Sequence, residues 1–560
     1  MPLSITDSPS AFPVRHRLIR RHLLLVLLAL AIATTPLHAQ QEWFVAAGAT
    51  GTGSASAPFG TIKAAVQAAQ PGDTVTVRPG TYAEMVTSVR GGAPDAAITL
   101  RAANGRGSVV VTRAGRVLEI AHPHIVIDGL VFDGQYAATD AVRLSTGAHH
   151  FVLRNAEVRR SGRDCIDMGA PSDVLIEHSS INHCLWWKSG RQDAHAIVAG
   201  AVRRLTLRHL DIHTFSGDGL QLDPDRTLPG WGDVAIEHTR FRLAPLPAAQ
   251  NGFPAGVVPG ENAVDTKAHP SAPRATLTIT DTTAEGFGPG LIANMAAFNL
   301  KEHVDVRMDR VAVSRSEIAF RLRGPGENGG AWVHLDNVVV HNVLTGIRYE
   351  GDIEKVQVTH ATFGRNVSRA LRAASSGWSG VDVQHSLFLG TSLPTEAPAS
   401  AGNLAAATGW FAGAAADDYR LLSTAPAVDA VKGTPAVPTD HIGTPRPQGA
   451  AADVGAYEYQ APITPTLLPA KPSSLRATAL LAGTSASVAL RWTDRSKVEE
   501  RYEVLRSSGG GPYVRVALLP ANSTAFTDTT TARQTTYRYR VRGLNQAGVG
   551  AADSVTVTTK

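Results

Sequence analysis

A short pattern of alternating apolar residues returns along most of the chain and limits the folds open to it. The pattern reads apolar–x–apolar–x–polar–x–x–apolar, and successive copies start 23 to 43 residues apart. Alternation with a period of two indicates strands, and repetition at this spacing indicates units that bury an apolar face only by stacking on their neighbours. The copies begin at Ile125, Phe151, Val174, Leu205, Val234, Leu277, Val304, Val333, Val356 and Val381.

The stretches between the copies decide how the strands connect. They contain no helical pattern of the length that would indicate alternating strands and helices. One coil per repeat, with Gly, Asp and Asn in the turns, therefore predicts an all-β, right-handed parallel β-helix. The long step before Leu277 predicts a loop on one flank. Thr61–Ala69 reads as a short amphipathic helix that covers the open end of the apolar stack.

Three stretches outside the repeats resemble a known family. PGDTVTVRPGTY (71–82) opens the first coil, and DDYRLLSTAPAVDA (417–430) and GTPRPQGAAADVGAYEY (443–459) follow the last. With the repeats, they resemble the secreted right-handed parallel β-helix proteins of the pectate-lyase-like superfamily of polysaccharide lyases. The resemblance implies a β-helix over residues 40–460 and a carbohydrate substrate.

The two ends of the chain have other characters. Residues 1–39 read as a secretory signal, since arginines precede an apolar run too short to span a membrane. The protein is thus expected to be secreted, extracellular or periplasmic. Residues 461–472 form a Pro-rich linker, and 473–560 resemble a fibronectin type III domain. Its buried aromatic would be Trp492, and Tyr537 or Tyr539 its tyrosine corner.

The net charge limits the classes of partner that are expected, and the two cysteines raise the question of a disulfide. The formal charge is +5, and removing four arginines and one aspartate with the signal leaves +2, so no nucleic-acid partner is expected. No membrane span is predicted, and a monomer is expected. Cys165 and Cys184 lie on successive turns, where a disulfide and two separate buried thiols are both open.

The second strand of each coil carries the candidate chemistry. Outward positions of successive parallel coils stack about 4.8 Å apart, so equivalent residues form a ladder. Carboxylates occupy its early coils, a lysine the middle and arginines the later coils. The predicted ladder contains Arg143, Asp167, the turn of Asp193 and His195, Gln221 with Asp223, Asp265 with Lys267, Arg321 with Arg323, and Arg348 with Glu350.

This order suits chemistry on an acidic polysaccharide. Clustered carboxylates suit Ca²⁺, and arginines bind a uronate carboxylate in two-pronged fashion. A lysine then takes the proton from the neighbouring carbon, and β-elimination breaks the glycosidic bond. The predicted metal ligands are Asp167, Asp218, Asp223 and Asp265; the catalytic residues are Lys267, Arg321 and Arg323; and the substrate-binding residues are His195, Gln221, Arg348 and Trp231.

Other interpretations stay open. The consecutive-Asp calcium motif of family 9 pectate lyases is half matched, because Gly217 precedes Asp218. Asp218 also suits a turn. Binding of a glycan without cleavage is a second hypothesis, and a hydrolase with Asp223 and Asp265 as its acid pair is a third. The histidines at the fifth position of the repeat are predicted to have a corner or stacking role: His178, His209, His238, His360 and His385.

Overall fold

The structure is a computed structural model. It describes residues 39–187, 193–290, 292–324, 330–350, 353–374, 380–390, 392–433, 437–461, 467–482 and 485–559. The predicted signal segment up to residue 38 and linker residues 462–466 lie outside the described residues.

The first half of the solenoid consists of short strands and one helix. In chain order these are β1 (Glu42–Val45), α1 (Ile62–Ala68), β2 (Thr74–Val77), β3 (Gly80–Tyr82), β4 (Val86–Thr87), β5 (Ile98–Ala102), β6 (Val109–Thr112), β7 (Leu118–Ile120), β8 (Ile125–Asp128), β9 (Leu130–Ala137), β10 (Val142–Leu144), β11 (Val152–Arg154), β12 (Glu157–Ser161), β13 (Ile166–Met168), β14 (Ser172–Glu177), β15 (Ser180–Cys184), β16 (Ile197–Ala199), β17 (Arg203–Arg208), β18 (Asp211–Phe215) and β19 (Leu220–Leu222).

The second half continues the pattern and ends in short 3₁₀ turns. Its strands are β20 (Gly232–Glu237), β21 (Arg240–Arg242), β22 (Val264–Thr266), β23 (Ala275–Thr280), β24 (Thr283–Glu285), β25 (Ala296–Lys301), β26 (Val304–Asp309), β27 (Ala312–Arg323), β28 (Trp332–Asp336), β29 (Val339–Tyr349), β30 (Lys355–Thr359), β31 (Thr362–Phe363), β32 (Val367–Ala373), β33 (Val381–Gln384), β34 (Leu387–Leu389), β35 (Leu404–Ala406), β36 (Phe411–Gly413) and β37 (Asp418–Leu421). The 3₁₀ turns are Ala399–Ala401, Thr408–Trp410 and Ala414–Ala416.

Parallel pairing arranges these strands into three faces of a β-helix, which confirms the predicted all-β solenoid. Face A is a 13-stranded sheet, β1-β2-β5-β8-β11-β14-β17-β20-β23-β26-β28-β30-β33. Face B runs β3-β6-β9-β12-β15-β18-β21-β24-β27-β29-β31-β34-β35. Face C runs β4-β7-β10-β13-β16-β19-β22-β25-β27-β29-β32, so the long strands β27 and β29 belong to both B and C.

The core forms because equivalent inward residues lie one above the other. On face A, Leu153 pairs in register with Ile127 and Ile176, and Leu207 with Ile176 and Ile236. All five side chains are almost completely buried. The apolar stack is thus continuous from coil to coil, as a solenoid requires.

The repeat predicted from the sequence matches the observed register on face A, with one exception. Leu277 pairs with Val306, not with Val304. The copy placed at Val304 is therefore shifted by two residues. A shift of two keeps every side chain on the same face of a strand, so the alternation of apolar residues alone does not reveal the error.

The fifth position of the repeat is the corner where the chain leaves face A. With the copy at Val306 counted, every residue at this position has a positive φ. The set is Gly129, Asn155, His178, His209, His238, Asp281, Arg310, Asn337, His360 and His385. The rings of His178, His209 and His238 also stack, with centroids 4.5 and 4.7 Å apart. The predicted corner and stacking role of these histidines is confirmed.

Both ends of the apolar stack are covered. The predicted helix covers the first end. Thr61 caps α1, since its Oγ1 accepts a hydrogen bond from the Ala64 N–H (3.2 Å), and the helix buries Ile62 and Ala65 in the core. At the far end, Tyr419 and Val454 belong to a second buried cluster that includes Leu387. Neither end therefore exposes an apolar layer to solvent.

The C-terminal region is a separate antiparallel sandwich. Its strands are β38 (Ser473–Ala482), β39 (Ser485–Thr493), β40 (Arg501–Ser508), β41 (Val514–Pro520), β42 (Ala525–Thr531), β43 (Thr536–Asn545), β44 (Gly548–Val549) and β45 (Asp553–Thr558). One sheet is β38-β39-β42, and the other is β41-β40-β43 with β44 and β45 on β43. Trp492 is buried, and the Tyr537 hydroxyl accepts a hydrogen bond from the Ala532 N–H (2.8 Å). Tyr537 is thus the tyrosine corner of a fibronectin type III fold.

The structure also bears on the two cysteines and on membrane-spanning helices. Cys165 and Cys184 form a disulfide with their Cα atoms 5.5 Å apart, which settles the two open alternatives in favour of the bond. No helix within the described ranges is long and apolar enough to cross a membrane.

The corner geometry predicts which substitutions the repeat tolerates. A β-branched side chain at a positive φ is strained by about 1–2 kcal/mol, whereas asparagine adopts this conformation readily. We expect His209→Val to lower the free energy of unfolding by about that amount relative to His209→Asn. Both variants lose the stacked ring, so denaturant unfolding of the pair isolates the backbone effect. Equal stabilities would contradict this explanation of the corner.

Candidate functional site

One outward position of face C forms a continuous ladder of side chains. Its members, in pairing order, are Glu119, Arg143, Asp167, Val198, Gln221, Asp265, Asn299, Arg321, Arg348 and Arg372. We call this set the face C ladder. The predicted members Arg143, Asp167, Gln221, Asp265, Arg321 and Arg348 do share it, and its last three rungs are arginines.

Two rungs of the ladder were missed from the sequence. The turn of Asp193 and His195 was expected between Asp167 and Gln221, but the residue in register there is Val198. His195 instead precedes the strand. Asn299 was not expected at all, because its strand begins with three consecutive apolar residues, Ala296–Phe298, which hide the alternation. Arg321 is consequently two rungs from Asp265, not one.

The middle of the ladder holds a buried carboxylate between two lysines. Asp265 is 3 % exposed. Its Oδ1 lies 2.8 Å from Lys301 Nζ and accepts a hydrogen bond from Asn299 Nδ2 (2.8 Å). Its Oδ2 lies 3.5 Å from Lys267 Nζ. Lys267 is thus beside Asp265 as predicted, but the shorter ion pair belongs to Lys301, which the sequence analysis missed with its strand.

A second group of polar side chains lies at the turns that enter the strands of face C. His195 Nδ1 accepts a hydrogen bond from the Asp218 N–H (2.7 Å), and His195 Nε2 lies 2.8 Å from Asp193 Oδ1. This geometry assigns the ring proton to Nε2. A Cβ on Gly217 would lie 2.5 Å from His195 Nδ1. The aspartate that family 9 lyases have before this position therefore has no room here.

Asp218 uses both of its carboxylate oxygens, and one of them links two successive coils. Oδ1 accepts hydrogen bonds from the Asn262 N–H (3.1 Å) and from Asn262 Nδ2 (2.7 Å). Oδ2 accepts one from Gln221 Nε2 (2.9 Å). These contacts are those of a turn residue, which favours the turn interpretation of Asp218 over the metal-ligand interpretation.

The charges of this group are strongly coupled. Burial, then the charge of Asp265, raises the pKa of Asp218 to about 6. Burial, then the charge of Asp218, raises the pKa of Glu261 to about 7. Burial opposes the charged form of His195, but the bond to Asp193 and the charge of Asp218 outweigh it and raise this pKa to about 9. A second proton on the ring would have to displace the backbone hydrogen bond at Nδ1. Glu261 was not among the site residues predicted from the sequence.

Two predicted site residues have structural roles. Asp223 is fully buried at φ 47° and its Oδ1 accepts hydrogen bonds from the N–H and the hydroxyl of Thr227 (2.9 and 3.0 Å). Trp231 is 1 % exposed, and its indole N–H donates to the Lys267 carbonyl (2.7 Å). A ring buried in this way does not reach a sugar, so the substrate-binding role predicted for Trp231 is wrong. Its contact positions the backbone of Lys267 instead.

The four predicted calcium ligands do not converge. Asp167 forms an ion pair with Arg143, and the partners of Asp218 and Asp265 are given above. Asp223 keeps a buried Oδ2 that has no hydrogen-bond partner in the part of the chain that the structure describes. Within the described part of the chain, no three His, Cys, Asp or Glu side chains form a group able to hold a metal ion. Two lysines stand beside Asp265 where a cation was expected. The residues do not fit a calcium ion, and no step below uses one.

The later rungs form a basic cluster. Arg321 Nε and Arg323 Nε lie 2.9 Å from the two carboxylate oxygens of Glu350. Arg348 Nε lies 3.5 Å from Glu350 Oε1. Arg372 follows on the next rung and is exposed. We call Arg321, Arg323, Arg348 and Arg372 the arginine cluster. It has one carboxylate partner among these contacts, so a net positive charge remains.

An open cleft crosses the early rungs of face C. Its volume is about 520 Å³, and it runs between the turns before the strands and the loop after β19. Arg143, Asp167, Val198 and Gln221 form its floor, and His195 lies on one side. His195 and Gln221 are therefore placed at a cleft, as a role in binding requires.

Comparisons with known proteins identify likenesses for one small part of the chain. No protein-family profile matches, and no curated protein matches. Similar solved structures include a Fn3-like protein from Clostridium thermocellum, with 28 % identity over 17 % of this chain and 96 % of that one, at a TM-score of 0.15. Another is the FN3 domain of human collagen XX, with 26 % identity over 18 % of this chain and 99 % of that one, at a TM-score of 0.14. Nothing about function follows from these likenesses.

The contacts of Asp265 predict unequal effects of removing its two lysines. Breaking a buried ion pair leaves an uncompensated charge and costs about 3–5 kcal/mol. We expect Lys301→Met to lower the thermal unfolding midpoint clearly more than Lys267→Met, because Lys301 makes the 2.8 Å contact and Lys267 the 3.5 Å contact. A larger effect of Lys267→Met would show that Lys267 is the structural partner of Asp265.

The raised pKa of Glu261 predicts a pH dependence of stability. Its value in the folded protein, about 7, lies above the ordinary 4.5. Between these limits the unfolded chain has lost a proton that the folded protein keeps, so stability falls as pH rises through this window. We expect Glu261→Gln to lose less stability than the native protein between pH 4.5 and pH 7, and the two to differ least below pH 4.5. Unfolding curves that shift in parallel with pH would contradict the assignment.

Proposed function

We propose that this protein binds a uronate-containing polysaccharide along the face C ladder and cleaves it by β-elimination, with Lys267 as the base. The observation that carries the proposal is the order of charge along the ladder. A buried carboxylate with two lysines lies two rungs from the arginine cluster, at about 4.8 Å per rung. A base and a carboxylate-binding group are therefore within the reach of neighbouring sugar units.

The arginine cluster supports an anionic substrate. Arginine forms two parallel hydrogen bonds with a carboxylate, and these charge-assisted bonds are among the stronger ones in proteins. Binding the uronate carboxylate withdraws charge from the adjacent carbon and acidifies its proton. The open cleft over the earlier rungs adds His195 and Gln221 as hydrogen-bonding groups for a sugar.

The contacts of Asp265 favour Lys267 over Lys301 as the base. Lys301 holds Oδ1 at 2.8 Å, together with Asn299. Lys267 makes the longer contact and has the more exposed side chain of the two, 19 % against 12 %. Less is therefore lost when Lys267 turns toward a ligand, and the indole of Trp231 holds its backbone in place.

The elimination consists of the following bond changes. Lys267 Nζ, in its neutral form, takes the proton from the carbon that carries the uronate carboxylate. The electron pair of that bond forms the new double bond within the ring. The glycosidic bond at the neighbouring carbon breaks, and its oxygen takes up a proton from water. The products are a new chain end and an unsaturated uronate.

The resemblance of the coils and of the far end to the pectate-lyase-like superfamily supports the same proposal, as does the predicted signal. Both agree with a protein that is exported and meets polysaccharide outside the cytoplasm. The fibronectin type III domain has no proposed part in the reaction.

Binding without cleavage is the second candidate function. It is favoured by the ion pair between Lys267 and Asp265, because a lysine held by a carboxylate is not free to act as a base. A hydrolase that uses Asp223 and Asp265 has less support. Asp223 is fully buried in a turn, and Asp265 is held between two lysines.

Ultraviolet absorbance tests the reaction directly. We expect the mature chain, incubated with a panel of uronans, to produce the signal of an unsaturated uronate, and Lys267→Ala to lower the rate about 10²–10⁴-fold, the usual contribution of a general base. Lys355→Ala, on face A, is the matched control and should keep full activity. Runs with Ca²⁺ and with a chelator test the calcium expectation separately.

Each outcome favours one function. Full activity of Lys267→Ala would contradict its role as the base. Reducing ends without the unsaturated signal would favour hydrolysis. Retention of the glycan with neither signal would favour binding alone.

A further inference from the structure

Glu350 occupies the arginine cluster in a way that its fold position does not require. It follows β29 directly, and its backbone N–H donates to the Leu322 carbonyl (2.9 Å) as an ordinary continuation of the sheet. Its side chain turns onto the ladder, where one oxygen lies 2.9 Å from Arg321 Nε and the other 2.9 Å from Arg323 Nε. A single carboxylate thus bridges two arginines of the proposed binding site.

We propose that Glu350 is an internal stand-in for the carboxylate of the ligand: it occupies the arginine cluster in the free protein, and a bound uronate displaces it. The inference rests on the proposed function, since it concerns the same arginines. Glu350 thereby sets the affinity of the arginine cluster for acidic ligands. It favours ligands whose acidic group can replace the Glu350 carboxylate.

The cluster has hydrogen-bonding capacity beyond what Glu350 uses. Arg348 Nε is buried and has no hydrogen-bond partner among the described residues, although it lies 3.5 Å from Glu350 Oε1. A buried donor left without an acceptor carries a free-energy cost. Arg372 is exposed on the next rung. A ligand carboxylate that entered here would find donors that Glu350 leaves unused.

The site is open enough for exchange. Glu350 keeps 21 % of its side chain exposed and Arg323 keeps 36 %. The Glu350 pKa is lowered, because the hydrogen bond and charge of Arg321 and the charge of Arg323 outweigh burial. The internal carboxylate therefore stays ionised in the free protein and competes with a ligand for the same arginines.

The experiment compares two single substitutions that change net charge equally. Glu350→Gln removes the internal carboxylate while keeping the shape of the side chain. Glu354→Gln is the matched control, since Glu354 is 59 % exposed and pairs with Arg274 at 2.9 Å. Glu350→Asp keeps the charge but withdraws it by one methylene. The full chain and its variants are titrated with polygalacturonate at one fixed ionic strength, and thermal midpoints show that all are folded.

We expect Glu350→Gln to bind polygalacturonate about tenfold tighter than the native protein, which corresponds to about 1.4 kcal/mol. Glu354→Gln should bind like the native protein, and Glu350→Asp should lie between. An equal gain for Glu350→Gln and Glu354→Gln would assign the effect to net charge and overturn the inference. Weaker or unchanged binding by Glu350→Gln would show that Glu350 orders the arginines for the ligand.

The same titration separates this inference from the proposed function. Binding by the native protein without a gain in Glu350→Gln overturns the inference and leaves the function standing. Binding by Glu350→Gln alone would show that Glu350 blocks the cluster and does not yield to a ligand, which overturns both the inference and uronate binding by the native protein. Retention by none of the variants overturns both.

Discussion

The structure depends on a backbone conformation that few residues adopt. At the end of each strand of face A the chain has to turn sharply, and the residue there has a positive φ in every repeat, from Gly129 to His385. Glycine adopts this conformation freely, and short polar residues and histidine adopt it at some cost. The corner thereby fixes where each coil turns, and the register of the faces that follow is set by it. The outward side chains of face C form a ladder because these corners repeat.

This requirement explains why so much of the fold was readable from the sequence. The corner conformation restricts which residues can follow the alternating apolar positions. The sequence therefore showed both the repeat and the register of its copies. The copy at Val304 was misplaced by two residues because the alternation of apolar side chains survives such a shift. The corner residue, Arg310, would have corrected it, since Arg310 has the positive φ and Met308 does not.

The site was less accessible to sequence reasoning because it depends on distances between coils. The charge order of the ladder was recognised, but the strand of Asn299 and Lys301 was lost in an apolar run, and with it the closer partner of Asp265. Trp231 lies in a loop whose sequence does not reveal that the indole folds under Lys267. Hydrogen bonds that join neighbouring coils, such as those of Asp218 to Asn262, leave no mark on local sequence. A site that depends on such contacts can be recognised only in the three-dimensional structure.

The disulfide between Cys165 and Cys184 has a consequence for how the solenoid comes apart. Each coil touches only its neighbours, so disassembly can start at an end and proceed one coil at a time. The bond joins Cys165 and Cys184, which are 19 residues apart in sequence and lie on two consecutive coils. A front of unfolding that enters from the N-terminal side meets a covalent link just before it reaches Gln221 and Asp265. The coils that carry the polar groups are thus shielded from fraying at that end, and proteolysis in an oxidising environment would stall there.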